Sequence, residues 1–261
     1  EVTKAKQGLY LGLSLSSLAR KTDLSGEVNG ISRGLLSFNR DADLGTFSPG
    51  LALTLDLFPS VFFSREEKLL EPLRLHFGLE AHWQRACVVR GNLATCGETD
   101  TTGVLAHSFS VLYEFEVLGN RSLLLTPWVG YFAAHYPLPE TIFPDTNYVG
   151  GSVGLSIGSE LTKTIFMDAY LEFLFPVVLS GNLKTVTNTI ASSGHGLGVG
   201  FSLGFKMKEA LGLPGIFNVG LEHKSIKLVT ESEIGIGEVF LKETKILDRH
   251  LRLHMGLIWE F

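Results

Sequence analysis

Apolar and polar residues alternate along most of this 261-residue chain. A period of two residues is typical of a β-strand with one apolar and one polar face. The pattern is clearest in the last twelve residues, where the odd positions are apolar and most even ones are not: Leu251, Leu253, Met255, Leu257, Trp259 and Phe261 against His250, Arg252, His254, Gly256 and Glu260. The carboxyl terminus is therefore predicted to be a strand.

The same alternation recurs nine more times, always with the apolar face on odd numbers. The nine apolar faces begin at Leu9, Leu51, Leu73, Leu105, Leu123, Val149, Ile165, Leu197 and Phe217. Each stretch of about twelve residues is long enough, when tilted, to cross a bilayer. No run approaches the roughly 18 apolar residues of a membrane helix, although the mean hydropathy is +0.23. Because backbone groups must be paired within hydrocarbon, the prediction is a closed antiparallel up-and-down transmembrane β-barrel of about ten strands, one domain over residues 1–261.

The terminal strand also carries a resemblance. Leu253, Met255, Leu257, Trp259 and the final Phe261 resemble the carboxyl-terminal assembly signal of bacterial outer-membrane β-barrel proteins, with Leu257, Trp259 and Phe261 as its core. The resemblance implies a place in the bacterial outer membrane, contact with outer-membrane lipid including lipopolysaccharide, and recognition by the barrel-assembly machinery. It names no activity. Because Glu1 opens a polar stretch, we expect the sequence to be that of a mature chain.

Connector lengths predict the orientation, since such barrels have short periplasmic turns and long outer loops. With both termini periplasmic, the turns near 119–122 and 158–163 are short, and the outer loops fall at about 19–46, 85–103, 137–147, 180–194 and 229–249. Two turns, 59–71 and 208–215, are longer than the rule allows, and each could contain a helical turn. These two turns are either ordinary variation in length or docking surfaces for envelope partners. The outer loops could also be docking surfaces.

Cys87 and Cys96 are the only cysteines and both fall in the second predicted outer loop. In an oxidising compartment this pair is expected to form a structural disulfide. A metal site is not expected there, because two sulfurs supply too few ligands. No cofactor is predicted, and a net charge of −5 argues against nucleic acid as a partner.

The even positions of the strands should line the lumen. The ionisable residues predicted there are Arg74, His76, Glu80, His82, Glu114, Glu116, Asp168, Glu172, Glu222, Lys224, Arg252 and His254. The six carboxylates among them outnumber the three lysines and arginines. A ten-stranded barrel is little wider than those that side chains fill completely, so paired charges plugging the interior are the first interpretation. The second is a narrow, acid-lined pore that prefers cations, with the glycines of the sixth and eighth strands making room. Those glycines could equally permit curvature or close backbone approach.

An enzyme has also to be considered, because ten strands is the count of the omptin proteases. Their site resembles two patterns here, Asp41 with Asp43 and Asp248 with His250. An aspartate would orient the imidazole while the carboxylate pair held a water for attack. Solvated loop acids and a histidine at the rim are the alternative interpretation.

Residues 222–249 are too apolar for a solvated loop and too charged for the bilayer. They predict that the last two strands continue beyond the membrane as a hairpin that turns near residues 235–237. This hairpin is either a contact surface or a cover over the barrel mouth. The sequence as a whole favours a non-enzymatic, structural or partner-binding component of the cell envelope, then a narrow pore for small cations or solutes, then an omptin-like endopeptidase.

Overall fold

The computed structural model describes residues 8–28, 42–43, 48–62, 70–90, 93–117, 123–136, 146–178, 192–208, 214–230, 234–236 and 239–261. Ten long strands account for most of them. They are β1 (Leu9–Val28), β2 (Ser48–Leu57), β3 (Leu73–Arg90), β4 (Leu93–Tyr113), β5 (Leu123–Tyr136), β6 (Thr146–Glu160), β7 (Ile165–Val178), β8 (Ser192–Lys206), β9 (Ile216–Thr230) and β10 (Val239–Glu260).

Each strand pairs antiparallel with the next, and β10 returns to pair with β1. That last pairing runs from Tyr10 opposite Glu260 to Val28 opposite Leu241, and it closes the sheet into a barrel. The backbone amide of Phe261 extends the seam by donating to the carbonyl of Leu9 at 2.9 Å. The predicted closed ten-stranded barrel is therefore confirmed.

Three short strands accompany the ring. Ala42–Asp43 pairs with β1, Phe115–Glu116 prolongs the contact of β4 with β5, and Ile234–Ile236 pairs with β10 outside the ring. A single 3₁₀ turn, Pro59–Val61, follows β2. In the described ranges there is no helix long and apolar enough to span a bilayer. We call the end of the barrel that holds Leu9 and Glu260 the terminal end, and the opposite end the loop end.

The two faces of the wall follow the numbering of the sequence. Among the described strand residues, every exposed large apolar side chain lies at an odd position, from Leu13 on β1 to Met255 on β10. Buried apolar side chains, such as Leu18, Leu174 and Leu228, lie at even positions with the exception of Ala133. On β10 the outward apolar face extends from Phe261 to Leu251, about 33 Å along the strand. Tilted, this matches the roughly 25 Å apolar band of a membrane barrel.

Several strands extend into ranges that the sequence predicted to be loops. β1 continues to Val28, β3 and β4 reach Arg90 and Leu93, and β10 starts at Val239. The predicted loops were too long. The alternation of apolar and polar residues fades where neither face of a strand meets lipid, but the backbone pairing of the strands continues. The predicted hairpin is present as well, since Ile236 pairs with Val239 and Ile234 with Leu241.

The two long turns at the terminal end are described only in part. In 59–71, the 3₁₀ turn and residues 70–72 are described, and 63–69 lie outside the described residues. In 208–215, a helical turn begins at Met207, whose amide donates to the carbonyl of Gly215. Gly215 has a φ of 115°, which an L-residue rarely adopts, so this turn requires a glycine there. Neither turn has a partner to test the docking hypothesis.

Glycines of β6 and β8 lie beneath aromatic rings of their neighbours. A Cβ at Gly154 would collide with the ring of Trp128, and one at Gly200 with the ring of Tyr170. Phe166 covers Gly204 in the same way. Because these glycines have no side chain, the inward aromatic rings can lie flat on the wall. Of the roles that the sequence left open for the glycines, the structure therefore shows close approach of a neighbour and not a wider pore.

This packing gives a first prediction. Gly154→Ala should lower the free energy of unfolding by about 1–3 kcal/mol, because Trp128 must leave its position. Urea unfolding of the protein in vesicles, followed by tryptophan fluorescence, measures the change. Gly103→Ala is the matched control, since a Cβ there meets nothing within 4 Å. Equal stability of the two variants would show that the ring is not held by the glycine.

Candidate functional site: the barrel lumen

A cavity of about 1540 Å³ occupies the lumen. Its walls extend from Tyr10, Phe58 and Glu260 at the terminal end to a ceiling nearer the loop end. The ceiling consists of Leu18, His82, Val104, Tyr148, Leu174, Ile226 and His250. Of the twelve ionisable residues predicted for the lumen, eleven line this cavity, and the exception is His254. The imidazole of His254 instead lies against Gly220, where a Cβ would collide with it.

The first cluster of charges lies near the terminal end. The guanidinium of Arg74 is 3.3 Å from a carboxylate oxygen of Glu114 and 3.8 Å from one of Asp56. Nδ1 of His76 donates to Asp56 at 2.8 Å. The pairing of Arg74 with Glu114 was expected from their places on one hairpin. These groups remain partly exposed, so they face a hydrated part of the cavity.

The second cluster forms a belt across the middle of the lumen. Arg252 on β10 binds Glu80 on β3, and its Nη2 donates to Oε2 of Glu222 on β9 at 2.6 Å. Lys224 continues the belt, with Nζ 3.3 Å from Glu222 and 3.2 Å from Glu172 on β7. His82 hydrogen-bonds Glu80 at the other end. Cations and carboxylates alternate, so each of the three carboxylates in the belt has a cationic partner.

The third cluster closes the lumen above the belt. Asp248 on β10 accepts two hydrogen bonds from Nε and Nη2 of Arg20 on β1, the shortest at 2.7 Å, and both side chains are 0% exposed. The hydroxyl of Tyr148 on β6 donates to the same carboxylate at 2.8 Å. Nε2 of His250 lies 3.1 Å from Oδ1 of Asp248. We call Arg20, Tyr148, Asp248 and His250 the septum.

The septum spans the lumen because its residues come from opposite walls. Three strands separate β6 from β10 on the shorter way around the ring. On the same inward face Leu18 precedes Arg20 by two residues and Ile226 is opposite Asp248 in the register, and both are almost completely buried. A fully desolvated ion pair that is also hydrogen-bonded holds its geometry firmly, since breaking it leaves an unpaired charge.

Sequence reasoning missed two members of the septum. Arg20 fell in the predicted first outer loop, and Tyr148 stood at the edge of the third. The signal was present, because both occupy even positions that continue the inward face of their strands: Arg20 follows Leu18 by two residues and Tyr148 precedes Gly150 by two. A strand that continues beyond the apolar band would have placed Arg20 in the lumen after Leu18.

The proposed catalytic residues are only partly brought together. Asp248 and His250 are in contact, as an omptin-like site would need. Asp41 lies outside the described residues, and so does the side chain of Asp43. In the backbone register Asp43 is opposite Lys21, which is opposite Arg249 in turn. The described side chains therefore bring together Asp248 and His250 alone of the four residues.

Cys87 and Cys96 are directly opposite each other in the ladder of β3 and β4. Opposed residues in such a ladder have Cα atoms about 4.5–5.5 Å apart, a separation that a disulfide can bridge. Their side chains lie outside those that the structure describes, so the disulfide stays a prediction. Within the described residues, no group of three or more His, Cys, Asp or Glu side chains is placed to hold a metal ion.

Comparison with known proteins identifies the fold. No family model and no curated protein sequence matches the chain. The outer-membrane protease OmpT of Escherichia coli superposes with a TM-score of 0.61 at 8% identity, covering 97% of each chain. An outer-membrane channel from Pseudomonas putida F1 gives 0.44 at 11% identity, covering 98% of this chain and 97% of that one. The protein thus has the fold of a bacterial outer-membrane β-barrel. An identity of 8% shows the fold and not an activity.

Proposed function

We propose that this protein is a non-enzymatic component of the bacterial outer membrane, whose closed barrel carries a loop-end surface for envelope partners. The septum supports this proposal most strongly. Its cross-lumen ion pair is completely buried and hydrogen-bonded, and it lies between the cavity and the loop end, where a transported solute would have to pass. In this proposal the lumen makes the barrel rigid, and the loops and the turns 59–71 and 208–215 bind the partners.

Planar-bilayer conductance of the refolded protein tests this proposal. If the lumen is closed, we expect the refolded protein to give no steady single-channel current. The double variant Arg20→Ala/Tyr148→Ala, which removes two side chains of the septum, should conduct if the septum is what closes the lumen. Steady current through the unmodified protein would contradict the proposal.

A narrow pore that prefers cations is the second candidate, and the lining of the cavity favours it. Ten carboxylate residues line the cavity, against three lysines and arginines. Acidic walls of low dielectric concentrate cations. This candidate predicts current with a cation-selective reversal potential in a salt gradient, altered by Glu172→Gln.

An omptin-like endopeptidase is the third candidate, supported by the contact of Asp248 with His250 and by the shape of the barrel. Against it, Asp248 is fully buried and both of its oxygens bind Arg20. The imidazole of His250 is also buried, at 6% exposure, so neither residue of this pair is open to a peptide at the rim. Cleavage of a peptide library by the refolded protein, lost in His250→Gln, would favour the protease over both other candidates.

The proposal also includes the orientation of the barrel in the membrane and its contacts there. Both termini would lie in the periplasm and the loop end outside the cell. The barrel-assembly machinery would recognise the carboxyl-terminal strand, on which Leu257 and Trp259 are half-buried and Phe261 is exposed. Lipopolysaccharide would surround the outer part of the band. Protease accessibility of the loops in intact cells tests this orientation.

A further inference from the structure

The cavity in the lumen is open at one end. At the loop end its ceiling is almost completely buried, with Leu18 and His250 5% and 6% exposed. At the terminal end, Glu71, Glu160 and Glu260 line the cavity and are exposed. A solute can therefore enter the cavity from the terminal end and reach the interior without crossing the septum.

Three aromatic residues lie on one side of this cavity. They are Trp128 on β5 and Phe166 and Tyr170 on β7. The ring centroids of Trp128 and Tyr170 are 5.8 Å apart, and the ring planes are inclined by 72°. Each of these two rings lies against a glycine, Gly154 or Gly200, and the two glycines lie two strands apart in the ring of ten. Two rings that lie flat on such a curved wall should be inclined by about this angle, so both turn a face toward the lumen.

A carboxylate lies beside these rings. Asp168 stands between Phe166 and Tyr170 on the inward face of β7, about 7 Å from each along the strand. Its Oδ1 would be 3.4 Å from a Cβ at Gly158, and the hydroxyl of Ser156 donates a hydrogen bond to it. Both contacts hold the carboxylate against β6, the strand that lies between β5 and β7.

The charge of Asp168 is not balanced as those of its neighbours are. The carboxylates of the belt each bind a cation, and Glu114 pairs with Arg74. Among the described residues, Asp168 has no cation within ion-pair distance. Arg74 acts on Asp168 only from farther away, where the charge of Glu114 opposes it. A half-buried carboxylate without a counter-ion is unfavourable, so this position favours a bound cation.

We infer that Trp128, Tyr170 and Asp168 bind a small organic cation with an alkylated ammonium group, of the choline type. Aromatic faces attract a cation within about 6 Å of the ring centroid, and quaternary ammonium groups are the usual ligands of such faces. A metal ion fits less well, since no group of three ligating side chains occurs among the described residues. The inference needs the cavity but not the closure of the lumen.

Equilibrium dialysis of radiolabelled choline against the detergent-solubilised full-length protein tests this site. We expect saturable binding. Asp168→Asn keeps the shape of the side chain but removes its charge, and it should weaken binding about tenfold. Trp128→Leu removes one aromatic face and should weaken binding about fivefold. The matched control is Glu260→Gln, which removes the same charge from an exposed residue of the cavity at the terminal end and should bind as the unmodified protein does.

Four results would overturn the inference. The first is a lack of saturable binding. Equal weakening in Asp168→Asn and Glu260→Gln would mean that an acidic lumen attracts any cation. Equally strong competition by sodium would mean the same. Equally strong competition by the uncharged analogue of choline, in which a tert-butyl group replaces the trimethylammonium group, would show that the charge is not recognised.

Two further points keep the test decisive. If Trp128→Leu fails to fold, Asp168→Asn still gives the answer, because asparagine has nearly the shape of aspartate. Conductance measured on the same preparation separates this inference from the proposed function. A steady current would contradict the closed scaffold and leave the choline result unchanged.

Discussion

Asp248→Ala is expected to lower the free energy of unfolding by about 3–5 kcal/mol. The carboxylate of Asp248 is the described partner of a guanidinium that is completely buried, and it also accepts from Tyr148. Without it, Arg20 keeps its buried charge but loses the carboxylate that binds its Nε and Nη2. Urea unfolding in lipid vesicles, followed by far-ultraviolet circular dichroism, measures the change.

The control for this variant replaces the whole pair. In Arg20→Met/Asp248→Leu, apolar side chains of similar volume take the place of both charges. Replacing a buried ion pair in this way is often neutral or stabilising, so this double variant should lie close to the unmodified protein. If the single and double variants lose equal stability, the cost arises from packing and not from an orphaned charge.

Arg252→Gln is expected to cost about 2–5 kcal/mol at pH 7. Arg252 bridges Glu80 and Glu222, whose side chains are mostly buried, so its loss leaves two carboxylates facing each other. At pH 4 the difference from the unmodified protein should narrow, because a carboxyl that takes up a proton no longer carries an uncompensated charge. Urea unfolding measured at pH 7 and at pH 4 tests both the size of the stability loss and its decrease at the lower pH.

Lys206→Gln is the matched control for Arg252→Gln. Lys206 forms an ion pair with Glu160 at the terminal rim, where their side chains are 32% and 46% exposed. Pairs as exposed as this contribute about 0–1 kcal/mol. A comparable loss in the two variants would mean that the belt has no special part in stability.

The barrel itself was predictable because its cause is local. A strand that separates lipid from a polar interior must alternate, and Leu251 to Phe261 does so without reference to any other strand. The contact of Arg74 with Glu114 was predictable for a similar reason, since adjacent strands of one hairpin place them side by side.

The septum was not predictable in the same way. Whether Tyr148 reaches Asp248 depends on how far each strand is displaced along its neighbour around the ring, and a period of two residues carries no information about that displacement. Arg252 and Glu80 meet for the same reason, across two intervening strands. The sequence placed Asp248 and His250 at the outer rim, as a weak site together with the first loop, whereas the structure places both inside the lumen, against Arg20 and Tyr148.

The contacts of Tyr148 with Asp248 and of Arg252 with Glu80 each join strands that are not neighbours, so we expect them to form only after β10 has met β1. They are therefore absent while the chain is still an open sheet, and they should contribute little to the speed of insertion. Interactions formed after the rate-limiting step mainly slow the reverse reaction. The interior of this barrel is thus suited to a long lifetime in the membrane, and its half-life at high temperature should depend on the lumen more than its rate of folding does.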